Sequence, residues 1–116
     1  MDLGRKTCTP CRGGVPPLER PEAERLLAQT PGWTLAADGR TIERDFRFPD
    51  FAAAMAFVER VAAVAEAEDH HPDIAFGWGY CRVQFQTHKI KGLHENDFIM
   101  AAKVNALAGT APGVGP

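Results

Sequence analysis

Apolar and polar positions follow two different periods along this chain. Trp33 to Ala37 and Arg40 to Phe48 read as strands, joined by the hairpin signal Asp38-Gly39. In the second strand Ile42, Phe46 and Phe48 share one face, and Glu43, Asp45 and Arg47 the other. The period then changes. From Pro49-Asp50 to about Ala67, the residues Phe51, Met55, Val58, Val61 or Ala62 and Ala65 recur at helical spacing. That is the stripe of a helix lying on a sheet, and Pro72 marks its end. Ile74, Phe76 and Trp78 alternate along a third strand, with Gly79-Tyr80 as a turn. Cys81, Val83, Phe85 and Thr87 alternate along a fourth, with Arg82, Gln84, Gln86 and His88 opposite them. Lys89 to Gly92 reads as a loop. Two further helices complete the pattern. One runs from Pro21 to Gln29 and is stopped by Thr30-Pro31-Gly32. The other starts near His94-Glu95-Asn96-Asp97, with Phe98, Ala101 or Ala102, Val104 and Leu107 or Ala108 as its apolar stripe. Gly109 and Pro112 end it. The order αββαββα predicts an α+β fold, a four-stranded antiparallel sheet with three helices packed on one face. Residues 1–17 read as an irregular leader, 18–108 as one domain and 109–116 as a loose tail.

Composition narrows the class without naming a function. With 116 residues there is room for one domain and one core. Hydrophobic residues make up 45% and charged residues 24%, the balance of a globular chain and not of a disordered one. A net charge of -2 argues against nucleic-acid binding by bulk electrostatics. No apolar run approaches the ~20 residues of a membrane span. No hydrophobic segment follows Met1 to Lys6, so a signal peptide is not expected and a cytoplasmic location is.

Three cysteines are an odd count for a disulfide framework. Cys8-Thr9-Pro10-Cys11 is a C-x-x-C pair, readable as a redox pair or as half of a zinc site. A Gly/Pro-rich leader is the wrong setting for the first, and the absence of a second pair weakens the second. Cys81, inside a strand, reads as a small buried hydrophobe.

The four histidines carry the chemical signal. His70 and His71 sit at the hinge between the long helix and the third strand, and His88 at the end of the fourth. A hairpin returns the chain to its start, so these three can approach one another. Glu66 lies one turn before His70, and Asp97 opens the last helix. Imidazoles beside carboxylates suit proton transfer near neutral pH. Each residue also has a plain structural reading: a helix C-cap, a strand-end surface residue, a first-turn acid, a solvated helix residue. A three-histidine metal site is a further reading. Adjacent His70 and His71 would struggle to face one ion, since consecutive extended residues point opposite ways.

In this order the residues resemble the pterin-4a-carbinolamine dehydratase family. Its pattern is an acid, three residues, His-His-Pro, five or six residues, an aromatic, nine residues, a His, and an Asp eight or more later. The chain supplies Glu66, His70-His71-Pro72, Trp78, His88 and Asp97 at those spacings. The leader around Cys8 and Cys11, Gly32-Trp33 and Gly92-Leu93-His94-Glu95-Asn96-Asp97-Phe98 are similar as well. The resemblance implies the four-stranded fold already read. It also implies dehydration of a 4a-hydroxytetrahydropterin to the quinonoid dihydropterin, which recycles tetrahydrobiopterin for aromatic amino acid hydroxylases. Pterin is then the substrate, and no separate cofactor or metal is expected. By carry-over His70 and His88 form the acid/base pair, Glu66 tunes a histidine and Asp97 completes the site. His71, Trp78 and Pro72 would contact substrate, although Trp78 equally suits a core position. Family members are homodimers or homotetramers. Some relatives are protein-binding modules, namely transcription-factor dimerisation cofactors and Rubisco assembly factors, which is the alternative class here. His94 departs from the Thr or Ser usual at that helix cap, and Ile74 and Ala75 replace larger residues.

Overall fold

The computed structural model describes residues 3–9 and 13–110. Pro10, Cys11 and Arg12 lie outside the described residues, as does the 111–116 segment of the expected tail. After a 3-10 turn at Leu3–Arg5, the elements are α1 (Arg20–Leu27), β1 (Thr34–Leu35), β2 (Ile42–Arg47), α2 (Phe51–Glu68), β3 (Asp73–Gly77), β4 (Tyr80–Phe85) and α3 (Glu95–Thr110). A second 3-10 turn, His88–Ile90, separates β4 from α3. The four strands form one antiparallel sheet in the order β1-β2-β4-β3. This is the α+β architecture the patterning predicts. No helix among the described residues is long and apolar enough to cross a membrane.

The core lies between the inner sheet face and the helices. Ile42, Phe46 and Phe48 on β2 and just after it, and Cys81, Val83 and Phe85 on β4, are buried. They meet Ala54, Phe57, Val61 and Ala65 of α2 and Phe98, Ala101 and Val104 of α3. Phe57 is the hub of α2, with its ring centroid 4.8 Å from Phe46 and 5.2 Å from Phe48. The expected α2 stripe is therefore rotated at its start. Phe51 and Met55 are exposed, and Ala54 and Phe57 take the inward positions. Phe51 instead packs its ring 5.6 Å from Phe76 on the edge strand β3. In α3 burial is broader than the expected stripe, since Ile99 and Met100 are buried too. The N-terminal half of α3 is covered on several sides, which leaves no solvent face to pattern.

Local signals also shift. The Asp38-Gly39 pair sits within a longer connection, closed where the Ala36 N–H donates to the Thr41 carbonyl. The β3–β4 turn is Trp78-Gly79, one residue earlier than expected, with Gly79 at φ 80 and Tyr80 already in β4. Asp50 caps α2 by accepting from the Ala53 N–H at 2.8 Å. Arg44 takes an inward position on β2. Its guanidinium lies 4.5 Å from the Phe46 ring centroid, and Nη1 donates to Asn105 Oδ1 at 2.6 Å. Asn105 Oδ1 also accepts from the Trp33 indole at 2.8 Å. Burial lowers the Arg44 guanidinium from its ordinary value. A Cβ at Gly32, which has φ 90, would fall 2.7 Å from Arg44 Nε, so only glycine fits there.

Phe57→Ala should cost about 3–5 kcal/mol, whereas Phe51→Ala, at an exposed position, should cost less than about 1 kcal/mol. Urea denaturation of the two variants measures both. Equal losses would place the α2 stripe where the sequence pattern first put it.

Candidate active site

The site forms where α2, β4 and α3 meet at one end of the sheet. Helix α2 ends at Asp69, which adopts the left-handed conformation (φ 53, ψ 43) while its N–H still reaches the Ala65 carbonyl. Asp tolerates that region better than most residues. The reversal sends the next two side chains apart. His70 turns inward and is 6% exposed, and its ring stacks 6.1 Å from Phe85. His71 stays on the surface, paired with Glu66.

Below His70 lies Asp97, fully buried in the first turn of α3. A carboxylate can only accept, so the His70 Nε2–H donates to Asp97 Oδ1 at 2.7 Å. The Thr87 hydroxyl donates to Oδ2 at 2.8 Å, and the His94 N–H to the same oxygen at 3.0 Å. His94 caps α3 with its ring, because Nδ1 accepts from the Asn96 N–H at 3.0 Å. Together His94 and Asp97 form a reciprocal capping box. The departure from Ser or Thr thus keeps the capping function with a different acceptor. Among the described residues no buried side-chain nitrogen or oxygen lacks a partner.

Above these residues opens a cleft of about 540 Å3, lined by Cys8, Thr9, Glu68, Asp69, His70, His71, Gln86, Thr87, His88 and Lys89. That volume lies within the ordinary range for small-molecule sites. All three predicted histidines reach it. His88 leaves β4 in the 3-10 turn, largely exposed, with Nε2 3.8 Å from Asp73 Oδ2. Glu66 serves His71 and not His70, and Asp97 acts from beneath as the partner of His70. Pro72 is half-buried and is not among the residues that line the cleft.

Trp78 stands elsewhere. It occupies the turn at the far end of the β3–β4 hairpin and is 72% exposed. The strand rise separates that end from Asp73 by roughly 13 Å. Trp78 therefore neither walls the cleft nor enters the core. A hairpin's two ends look alike in sequence spacing, which is why an aromatic at the wrong end still satisfies the pattern.

Several residues in and around the cleft escape the sequence reading. Asp73 becomes legible only from strand register, which pairs it with Gln84 next to the β4 exit. Thr87 carried a signal: it continues the inward series Cys81, Val83, Phe85, where a hydroxyl must find a buried partner. Cys8, Thr9 and Glu68 meet through tertiary contact alone. The Cys8 N–H donates to Glu68 Oε1 at 2.7 Å. Burial first, then the Glu68 carboxylate, pushes the Cys8 thiol up to about 12. Burial likewise raises the Cys81 thiol to about 11. Among the described residues no group of three or more His, Cys, Asp or Glu is arranged to hold a metal ion. Cys11, the other half of the C-x-x-C pair, lies outside the described residues.

The model for the family described as pterin 4 alpha carbinolamine dehydratase matches residues 16–107 of this chain. The chain belongs to that family. A protein of Aromatoleum aromaticum, named "Putative pterin-4-alpha-carbinolamine dehydratase", is 62% identical over 109 residues, covering 94% of this chain and 97% of its own. A Halorhodospira halophila protein of the same name is 61% identical, with 92% and 98% covered. Among solved structures, a transcriptional coactivator/pterin dehydratase from Brucella melitensis superposes with a TM-score of 0.74 at 34% identity. The match covers 78% of this chain and 97% of that one. A pterin dehydratase-like protein identified as a RuBisCO assembly factor in the alpha-carboxysome gives 0.58 at 29% identity, covering 67% and 90%. The dehydratase family thus includes relatives described by protein-binding roles as well as by the reaction.

Two outcomes follow from the site's packing. Thr87→Val should cost about 1–3 kcal/mol by removing one of the two donors to a buried carboxylate oxygen, while Thr87→Ser should retain most of that stability. Thermal or urea unfolding reads the difference. Cys8 remains a thiol far above neutral pH, so in a Cys11→Ser background it should alkylate with iodoacetamide at pH 8 more than about tenfold slower than a free cysteine. Peptide mapping checks the rate, and reaction at the free-cysteine rate would contradict the buried setting.

Proposed function

We propose that this protein dehydrates a 4a-hydroxytetrahydropterin to the quinonoid dihydropterin. The observation that carries the reading is His70, buried on Asp97 yet lining a cleft that His71 and His88 also line. Family membership supports it. The reaction breaks the C4a–O bond. The leaving hydroxyl gains a proton and departs as water, N5 loses a proton, and the N5=C4a double bond forms. One proton is given and one is taken, with no change of oxidation state. Groups that ionise near neutral pH suit both transfers.

His70 and His88 are assigned to these two transfers. Asp97 fixes the His70 ring and offsets the charge that develops on it as the proton passes. His88, on a largely exposed turn, has the Asp73 carboxylate 3.8 Å away, near enough to favour a charge developing on its ring. His71, paired with Glu66, positions the pterin at the cleft mouth. Both members of that pair are exposed, so the contact orients more than it stabilises. The pterin is substrate in this scheme, and no further cofactor is required by it.

The second reading is a protein-binding module in which the chemistry is dispensable. The structural likeness to the alpha-carboxysome assembly factor favours keeping it. It gives no reason for a buried His–Asp pair to open on a cleft, and the dehydratase reading does.

Replacing His70 or His88 with Ala should lower turnover of freshly generated 4a-hydroxytetrahydropterin by about 10²–10⁴-fold each. Circular dichroism should show the fold retained. Wild-type turnover in both variants, or none in the native protein, would remove the assignment.

A further inference from the structure

The leader contributes a wall to the cleft although it precedes the stretch matched by the family model, which begins at residue 16. Residues 3–9 are held at several points. Leu3 is buried, and Lys103 Nζ donates to the Gly4 carbonyl at 3.0 Å. Lys6 Nζ pairs with Glu95 Oε2 at 2.7 Å. The tightest hold is on Thr9, whose N–H donates to Asn96 Oδ1 at 3.0 Å while Asn96 Nδ2 donates to the Thr9 carbonyl at 2.7 Å. One amide thus grips both polar groups of one backbone unit, as a neighbouring strand would. Asn96 is 1% exposed, and a buried amide is retained only where its hydrogen bonds are met. Its grip acts on backbone, so it sets where residues 8 and 9 stand whatever their side chains are.

We propose that Cys8 and Thr9 form a substrate-selecting wall of the cleft, and that Asn96 is the positioning residue that holds this wall. The proposal rests on the dehydratase reading in taking the ligand to be a reduced pterin. The two proton transfers are already assigned to His70 and His88, so Cys8 and Thr9 are left with binding rather than chemistry. What Cys8 and Thr9 can do is shape the cleft and meet the parts of the pterin remote from C4a and N5. Selection among pterins by their ring substituents is the consequence. Uniform binding contacts of this kind appear in KM and leave kcat in place.

The test uses the full chain with Thr9→Trp, which adds bulk at an exposed position, and Asn96→Asp, which keeps the acceptor for the Thr9 N–H and loses the donor to its carbonyl. Two readouts are needed: dehydration kinetics on 4a-hydroxytetrahydropterins bearing a C6 methyl or a C6 dihydroxypropyl group, and calorimetric binding of a non-reacting 7,8-dihydropterin. In each variant KM and the probe's Kd should rise together by about tenfold or more with kcat within about twofold, and the preference between the two substrates should change. KM and Kd both within about twofold of native in Thr9→Trp would overturn the wall. So would an equal loss of kcat and kcat/KM with unchanged Kd. If the native protein binds the probe but does not turn over, the dehydratase reading fails and the binding arm alone decides the wall. If native protein neither binds nor turns over, both fall. Should Asn96→Asp unfold, Thr9→Trp carries the decision.

Discussion

The carboxylate of Asp97 joins three parts of the chain that share no local sequence. The His94 N–H reaches it from the start of α3, the Thr87 hydroxyl from the exit of β4, and the His70 ring from the exit of α2. Removing it would strand two buried donors and one half-buried one at once, each carrying its own desolvation penalty. The same carboxylate that helps begin a helix through Oδ2 therefore fixes, through Oδ1, the angle at which a histidine enters the cleft. Stability and chemistry meet at this carboxylate through geometry.

The divergence of the two adjacent histidines has a separate cause. Asp69 closes α2 in the left-handed region, at some backbone strain, and the chain leaves the helix with His70 pointing in and His71 pointing out. A continuous helix would have set the two about 100° apart on one surface. The reversal lets one ring be shielded and stacked on Phe85 while its neighbour faces solvent beside Glu66. Identical side chains thereby acquire different surroundings over one residue.

Much of this was legible in the sequence, for physical reasons. Strand alternation through β4 and helical spacing in α2 report burial directly, so the sheet, the helices and their order could be read. The set Glu66, His70, His71, His88 and Asp97 could be read from spacing, because a hairpin and a helix start bring those numbers together. The partners could not. That Glu66 serves His71 depends on the turn at Asp69, and that Asp73 stands by His88 depends on register. Trp78 satisfied a spacing and not a location. Phe51 satisfied a helical stripe, yet its place at the first turn of α2 lets it lie on edge strand β3. Arg44 shows the converse, a charge at an inward strand position that only the aromatic and amide groups around it explain. The leader carried no periodicity at all, and its role emerges from contacts to α2 and α3.

Those contacts bear on the order in which the molecule is completed. Thr9 meets Asn96 across 87 residues, and Cys8 meets Glu68 across 60. Contacts of such separation close large loops and form after local structure. A nascent chain that has made the sheet's first hairpin and α2 still lacks the buried carboxylate under His70 and the amide that grips the leader, since both arrive with α3. The cleft is thus incomplete until the first turn of α3 is made, and a chain shortened before α3 would carry His70, His71 and His88 without a site.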